Sequence, residues 1–133
     1  MVNTARQGAA FERRVIHDLT PYGYDCIRSA ASKGKVDVVG IGAWSECPID
    51  TDHHCVDGNN PTGLLFVQCK LTDPQIGPAD RAALLDWSAR AGATPLVASW
   101  SEHNVTGLMA VHYRRLTGPG PKQWEPWAPG EDT

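Results

Sequence analysis

Apolar residues recur at three- and four-residue steps from the start of the chain, through Ala9, Ile16 and Leu19 with Val15 adjoining. That spacing predicts a helix from Thr4 to about Leu19, with Asn3 or Thr4 as N-cap and Pro21 and Gly23 closing it. Glu12 falls in the middle of its apolar face, an odd place for a carboxylate. Tyr24–Ala30 reads as a strand and Ser32-Lys33-Gly34-Lys35 as a turn. Val36–Ile41 is then a second strand, with Asp37, Val39 and Ile41 on one face and Val36 and Val38 on the other. The stretch 42–63 is polar, carries Pro48, Gly58, Asn59, Asn60 and Pro61, and has no sustained period, so it reads as a long insertion. Leu64–Leu71 is a third strand, in which Phe66, Gln68 and Lys70 face one way and Val67 and Cys69 the other. Pro78–Arg90 predicts a second helix that stops at Gly92, with Ala82, Leu85 and Ala89 as its buried stripe. Pro95–Trp100 and Leu108–Tyr113 are expected to form a hairpin joined through His103, Asn104 and Gly107. From Thr117 the Pro, Gly and Trp content reads as an irregular tail.

The order helix, strand, strand, strand, helix, strand, strand predicts an α/β domain with a central mixed β-sheet flanked by helices. With 133 residues and 41% hydrophobic content, one domain over 1–116 is expected, followed by the tail 117–133. No run of about 18 apolar residues occurs, and the opening lacks a secretory layout, so a soluble cytoplasmic protein without membrane contact is the expectation. In that compartment Cys26, Cys47, Cys55 and Cys69 stay reduced. The net charge of -3 argues against nucleic-acid binding, but it is unevenly spread. Before Val36, Arg6, Arg13, Arg14, Arg28, Lys33 and Lys35 outnumber Glu12, Asp18 and Asp25, and the local field matters more than the sum.

Glu12, Asp37, Gln68 and Lys70 are polar residues on faces expected to be buried, and buried charge is costly unless paired or coordinated. Three of them have an ordinary explanation: Glu12 pairs with Arg28, Asp37 caps the turn at Gly34, and Lys70 guards a strand edge. Together they suggest a site. Asp37 and the Gln68 side-chain oxygen, with the Cys69 carbonyl, suit a hard divalent cation, and Lys70 suits a scissile phosphate. That chemistry is phosphodiester hydrolysis.

The runs Gly8-Ala9-Ala10-Phe11-Glu12-Arg13, Arg28-Ser29-Ala30-Ala31-Ser32-Lys33-Gly34, Val36-Asp37-Val38-Val39 and Phe66-Val67-Gln68-Cys69-Lys70 resemble the archaeal-type Holliday junction resolvases and their phage-encoded relatives, within the PD-(D/E)xK nuclease superfamily. The resemblance implies a restriction-endonuclease-like fold, Mg²⁺ or Mn²⁺ dependence, and a homodimer acting on four-way DNA junctions in recombination or repair. For a phage-encoded protein the compartment is the bacterial host cytoplasm. By motif position, Asp37 is the principal metal ligand and Glu12 the helix carboxylate that reaches the metal. Gln68 and Lys70 are the (D/E)xK pair and Ser32 the loop serine near the phosphate. Arg13, Arg28, Lys33 and Lys35 are the basic positions expected along DNA. Val36 stands where the motif has proline, and Gln68 where it has an acid, which lowers the charge offered to a metal. The alternatives are another nuclease of the same superfamily, or a non-catalytic DNA-binding module with a weakened metal site.

Cys47, His53, His54 and Cys55 have ligand types that suit a structural Zn²⁺, with Cys47, His53 and Cys55 as its core. Their spacing matches no familiar finger, and reduced, unliganded side chains are the plainer reading. Arg114 and Arg115 are phosphate-contact candidates or a solvated strand end. Trp124 and Trp127 read as packing onto the domain or a second subunit, since a free Trp-rich tail exposes apolar surface.

Overall fold

In a computed structural model the described residues are 4–29, 36–42, 45–46, 54–55, 63–71, 74–102 and 105–129, with backbone alone for 4–7, 45–46 and 54–55. Helix α1 (Thr4–Leu19) buries Phe11, Glu12, Val15 and Leu19, one stripe at three- and four-residue steps. Its end is fixed locally: the Thr20 hydroxyl donates to the Ile16 carbonyl at 2.7 Å, and a 3₁₀ turn (Thr20–Tyr22) follows. Gly23 then takes a left-handed φ of 91°, which glycine adopts without a Cβ clash, and turns the chain into β1 (Tyr24–Arg28).

Strand β2 (Val38–Gly42) pairs antiparallel with β1, and the two-residue strands β3 (Ser45–Glu46) and β4 (His54–Cys55) pair with each other in a separate ribbon. Strand β5 (Leu64–Cys69) returns antiparallel to β2. The insertion 42–63 therefore joins two adjacent strands, and Gly63, at φ 76°, accepts a hydrogen bond from the Gly42 amide at its base. Helix α2 (Pro78–Ala91) crosses over to β6 (Thr94–Glu102), which lies parallel to β5 as a helical crossover permits. Strand β7 (Met109–Leu116) forms the expected hairpin with β6, and β8 (Trp124–Trp127) adds the last strand. The sheet order is β1-β2-β5-β6-β7-β8, a six-stranded mixed sheet.

Alternation along the strands divides the interior between the two faces. Leu65, Val67, Leu96 and Ala98 pack with Phe11, Val15 and Leu19 of α1, whereas Phe66 and Val97 pack with Leu84 and Leu85 of α2. Val15, Leu19, Val38, Leu65, Val67, Leu84 and Leu96 are all 0% exposed, and each such side chain contributes about 1.5–3 kcal/mol of hydrophobic stabilisation.

Three expectations are corrected. The buried stripe of α2 is Arg81, Leu84 and Ser88, whereas Ala82 and Ala89 are exposed and Leu85 is half-buried. Leu84 and Leu85 are adjacent, so periodicity alone left the phase of this helix open by one residue. Arg81 settles it by burying its stem and reaching toward the Pro119 carbonyl. Val36 packs with the α2-side cluster, opposite to Val38, because it precedes β2 and does not share its pleat. The segment after Thr117 is not irregular throughout: β8 pairs with β7, Trp127 packs edge-on against Tyr113 at 5.4 Å, and the Arg114 guanidinium lies 3.8 Å over Trp124. Both tryptophans thus pack onto the domain, and Arg114 has an aromatic partner.

Among the described residues, no helix is long and apolar enough to cross a membrane.

Candidate active site

The β2–β5 ladder ends at Asp37, and its backbone is fully engaged there. Its carbonyl accepts from the Ser29 amide at 2.9 Å, and its own amide donates to the Val67 carbonyl at 2.9 Å. Two residues further along β5 a donor would go unmet, and the Asp37 carboxylate serves it: the Cys69 amide donates to Oδ2 at 2.8 Å. Asp37 is therefore held from both sides, by Ser29 just past β1 and by Val67 and Cys69 of β5, and Oδ1 has no hydrogen bond among the described residues. Gly34, at which the turn-capping explanation places Asp37, lies outside the described residues.

Gln68 follows Val67 on β5, one residue past the last β2–β5 pair, and Asp37, whose amide also bonds the Val67 carbonyl that Val38 faces, sits in a bulge out of the ladder's register. Its Oε1 is buried and has no hydrogen-bond partner among the described residues. Such an orphaned acceptor is unusual, because leaving one buried costs about 1–3 kcal/mol. Lys70 follows at the end of β5, its amide donating to the Ala98 carbonyl at 2.8 Å, and its charge favours ionisation of Asp37.

Glu12 reaches the same end of the sheet from the α1 side. It is 7% exposed, and Oε1 accepts from the Arg28 Nε at 2.9 Å. Arg28, expected along DNA, is thus first of all the partner of Glu12. Burial raises the Glu12 carboxyl above the usual carboxylate range, the charge of Asp37 adds to the rise, and Arg28 and then Arg13 oppose it. Burial likewise raises Asp37, against the Cys69 amide and Lys70, and the charge of Asp80 adds to the rise. The Cys69 thiol is pushed up by burial and then by both Asp37 and Glu12, which places it between the two acids. It is inert as a nucleophile at neutral pH.

Asp80, in the first turn of α2, is the acid that sequence reasoning missed. A carboxylate at that position reads as an ordinary companion of a helix N-terminus. Only the crossover from β5 brings it toward Asp37.

Glu12, Asp37, Gln68, Cys69 and Lys70 thus meet at one end of the sheet, two acids raised by burial beside an unsatisfied amide oxygen. Asp37 Oδ1, Gln68 Oε1 and the Cys69 carbonyl fit the oxygen-only preference of a hard divalent cation. No group of three or more His, Cys, Asp or Glu side chains suited to a metal occurs among the described residues, so a site here depends on the amide and a carbonyl. Ser32, Lys33, Lys35, Cys47 and His53 lie outside the described residues, and Cys55 is described only as part of β4. No family model matches the chain, and no curated protein matches it.

Proposed function

We propose that the chain is a metal-dependent DNA endonuclease that hydrolyses phosphodiesters in branched DNA, in the manner of a Holliday junction resolvase with a restriction-endonuclease-like fold. The observation that carries this reading is the buried, unpartnered Gln68 Oε1 next in the chain to Cys69, whose amide the burial-raised Asp37 carboxylate accepts, with Lys70 following. The mixed sheet flanked by helices and the ordered sequence motifs support it.

Asp37, Gln68 and the Cys69 carbonyl would hold Mg²⁺ or Mn²⁺, with Glu12 at the margin of the site. When bound, the ion supplies an activated water and neutralises phosphate charge. Lys70 places a cation where negative charge develops on the phosphate. Arg13 and Arg14, both exposed on α1, give the strand a basic approach despite the acidic overall charge. A homodimer would present two such sites to opposed strands of one junction.

The Glu12–Arg28 ion pair favours a second reading, since it satisfies one acid without a metal. In that reading the domain binds DNA without cutting it.

One gel separates the two. The protein, with and without Asp37→Asn, is incubated with a labelled four-way junction or linear duplex in Mg²⁺ or EDTA. Mg²⁺-dependent junction cleavage lost in Asp37→Asn, with binding retained, supports the enzyme. Binding without cleavage supports the non-catalytic module, and equal cleavage of junction and duplex leaves a nuclease but refutes a resolvase.

A further inference from the structure

Beside the acids, on the α1 side of the sheet, a cavity of about 250 Å³ is lined by Ala10, Phe11, Arg14, Leu71 and Trp100. Phe11 precedes Glu12 and Leu71 follows Lys70, so the cavity adjoins the candidate site along both elements. Trp100 is anchored there by its amide, which donates to the Leu71 carbonyl at 3.1 Å, and by Phe11, whose ring meets it edge-on at 6.5 Å. The Arg14 guanidinium lies 4.7 Å from the centre of the Trp100 ring. A second cavity, open to solvent like the first, shares Ala10 and Arg14 with it and adds Arg13 and His17.

We infer that these two cavities form a nucleotide subsite, in which one unpaired base of the DNA strand stacks in the Trp100 cavity and the adjoining phosphate lies against Arg13 and Arg14. The inference rests on the DNA-processing reading above and deepens it. Three features point to this occupant. An apolar cavity of about 150 Å³ already accepts a benzene ring, so this volume takes a heteroaromatic base. An aromatic ring with a guanidinium on its face offers the two planes on which bases stack. The arginines are placed where a strand's charge must go if its base enters the cavity, because the two cavities share Arg14. A purely apolar ligand would leave Arg13 unused, and an anion alone would leave the ring wall unused.

The test uses the full chain in EDTA at low salt, so that cleavage plays no part. Two labelled octamers are compared by fluorescence anisotropy: one with abasic units throughout, and one with a single adenine among abasic units. Stacking of one base predicts roughly 5- to 150-fold tighter binding of the adenine-bearing strand. Trp100→Leu, with folding checked by circular dichroism, brings that ratio to about one, while the exposed substitution Arg14→Gln weakens binding of both strands. Equal affinity of the wild-type protein for the two octamers overturns the inference, as does binding of neither. The junction gel in Mg²⁺ reports on the nuclease separately: base-dependent binding without cleavage sinks that reading and leaves the subsite standing, and the reverse result does the opposite.

Discussion

The Asp37 carboxylate does two things that substitution can separate. It accepts the Cys69 amide at 2.8 Å, and it carries a charge that burial disfavours. Asp37→Ala removes both and leaves a half-buried amide without an acceptor, at a cost of about 1–3 kcal/mol. In a domain of this size that is a fall in Tm of roughly 3–5 °C for each kcal/mol. Asp37→Asn keeps an acceptor of nearly the same shape and removes the desolvated charge, so its stability in EDTA at pH 7 is expected to equal or exceed that of the wild type.

The pH dependence follows from the direction of the shifts. Asp37 and Glu12 both have folded-state values raised above their unfolded ones, so between those values the folded protein binds more protons. Their contribution is therefore lost as pH rises from about 4 through the raised values, and it stays lost above them. Urea denaturation in EDTA from pH 4 to pH 8 reads this directly, and the slope over the lower part of that range should be shallower in Asp37→Asn. If Asp37→Asn is destabilised as much as Asp37→Ala, or if its pH slope equals that of the wild type, burial is not what governs this carboxylate.

Gln68→Glu should lower the Tm in EDTA, by placing a carboxylate where the Gln68 Oε1 is buried without a partner, and should strengthen Mg²⁺ binding measured by calorimetry roughly tenfold or more. Added Mg²⁺ at about 100 times its dissociation constant should stabilise the wild type by about 2.7 kcal/mol in thermal denaturation and leave Asp37→Asn unmoved. Arg28→Ala strands the mostly buried Glu12 carboxylate, whose partner is 31% exposed, so a loss of about 1–2 kcal/mol in urea denaturation is expected, relieved by adding Glu12→Gln. Trp127→Ala should cost about 3–5 kcal/mol by the same assay, because the ring is 8% exposed and packs on Tyr113.

Elements with strong local punctuation were legible from residues alone. Helix α1 has a clean apolar period and a glycine stop, and the β6–β7 hairpin has two apolar runs around a Gly107 that takes φ 71°. That Asp37 lies beside β5 was legible from the two adjacent strand patterns, but the bulge that aims its carboxylate at the Cys69 amide was not, because a period of two cannot show where a strand leaves its register. Strand β8 was hidden by Pro126, which reads as a breaker but is tolerated on the sheet's outermost strand. The Arg14–Trp100 contact and the approach of Asp80 to Asp37 were hidden for a different reason. Each joins an element to another distant in the chain, and nothing local marks either residue.

The end of the sheet where β2 leaves β5 concentrates the departures from a stability-driven interior. Asp37 and Gln68, the latter with an amide oxygen that has no partner, adjoin Val38 and Val67, which are 0% exposed, and Glu12 approaches from α1 with its carboxyl raised by burial and by the charge of Asp37. Packing alone would be better served there by apolar side chains, because even a satisfied ion pair such as Glu12–Arg28 is seldom worth more than a hydrophobic replacement of the same volume. Local rules tend to be broken where a fold holds something other than itself. What Asp37, Gln68 and Glu12 have in common is oxygen, and among the described residues the cations that act on the two acids are Lys70 and the arginines Arg13 and Arg28. A divalent cation, if bound there as proposed, would remove the repulsion that raises Glu12 through Asp37 and would give Gln68 Oε1 the partner it lacks.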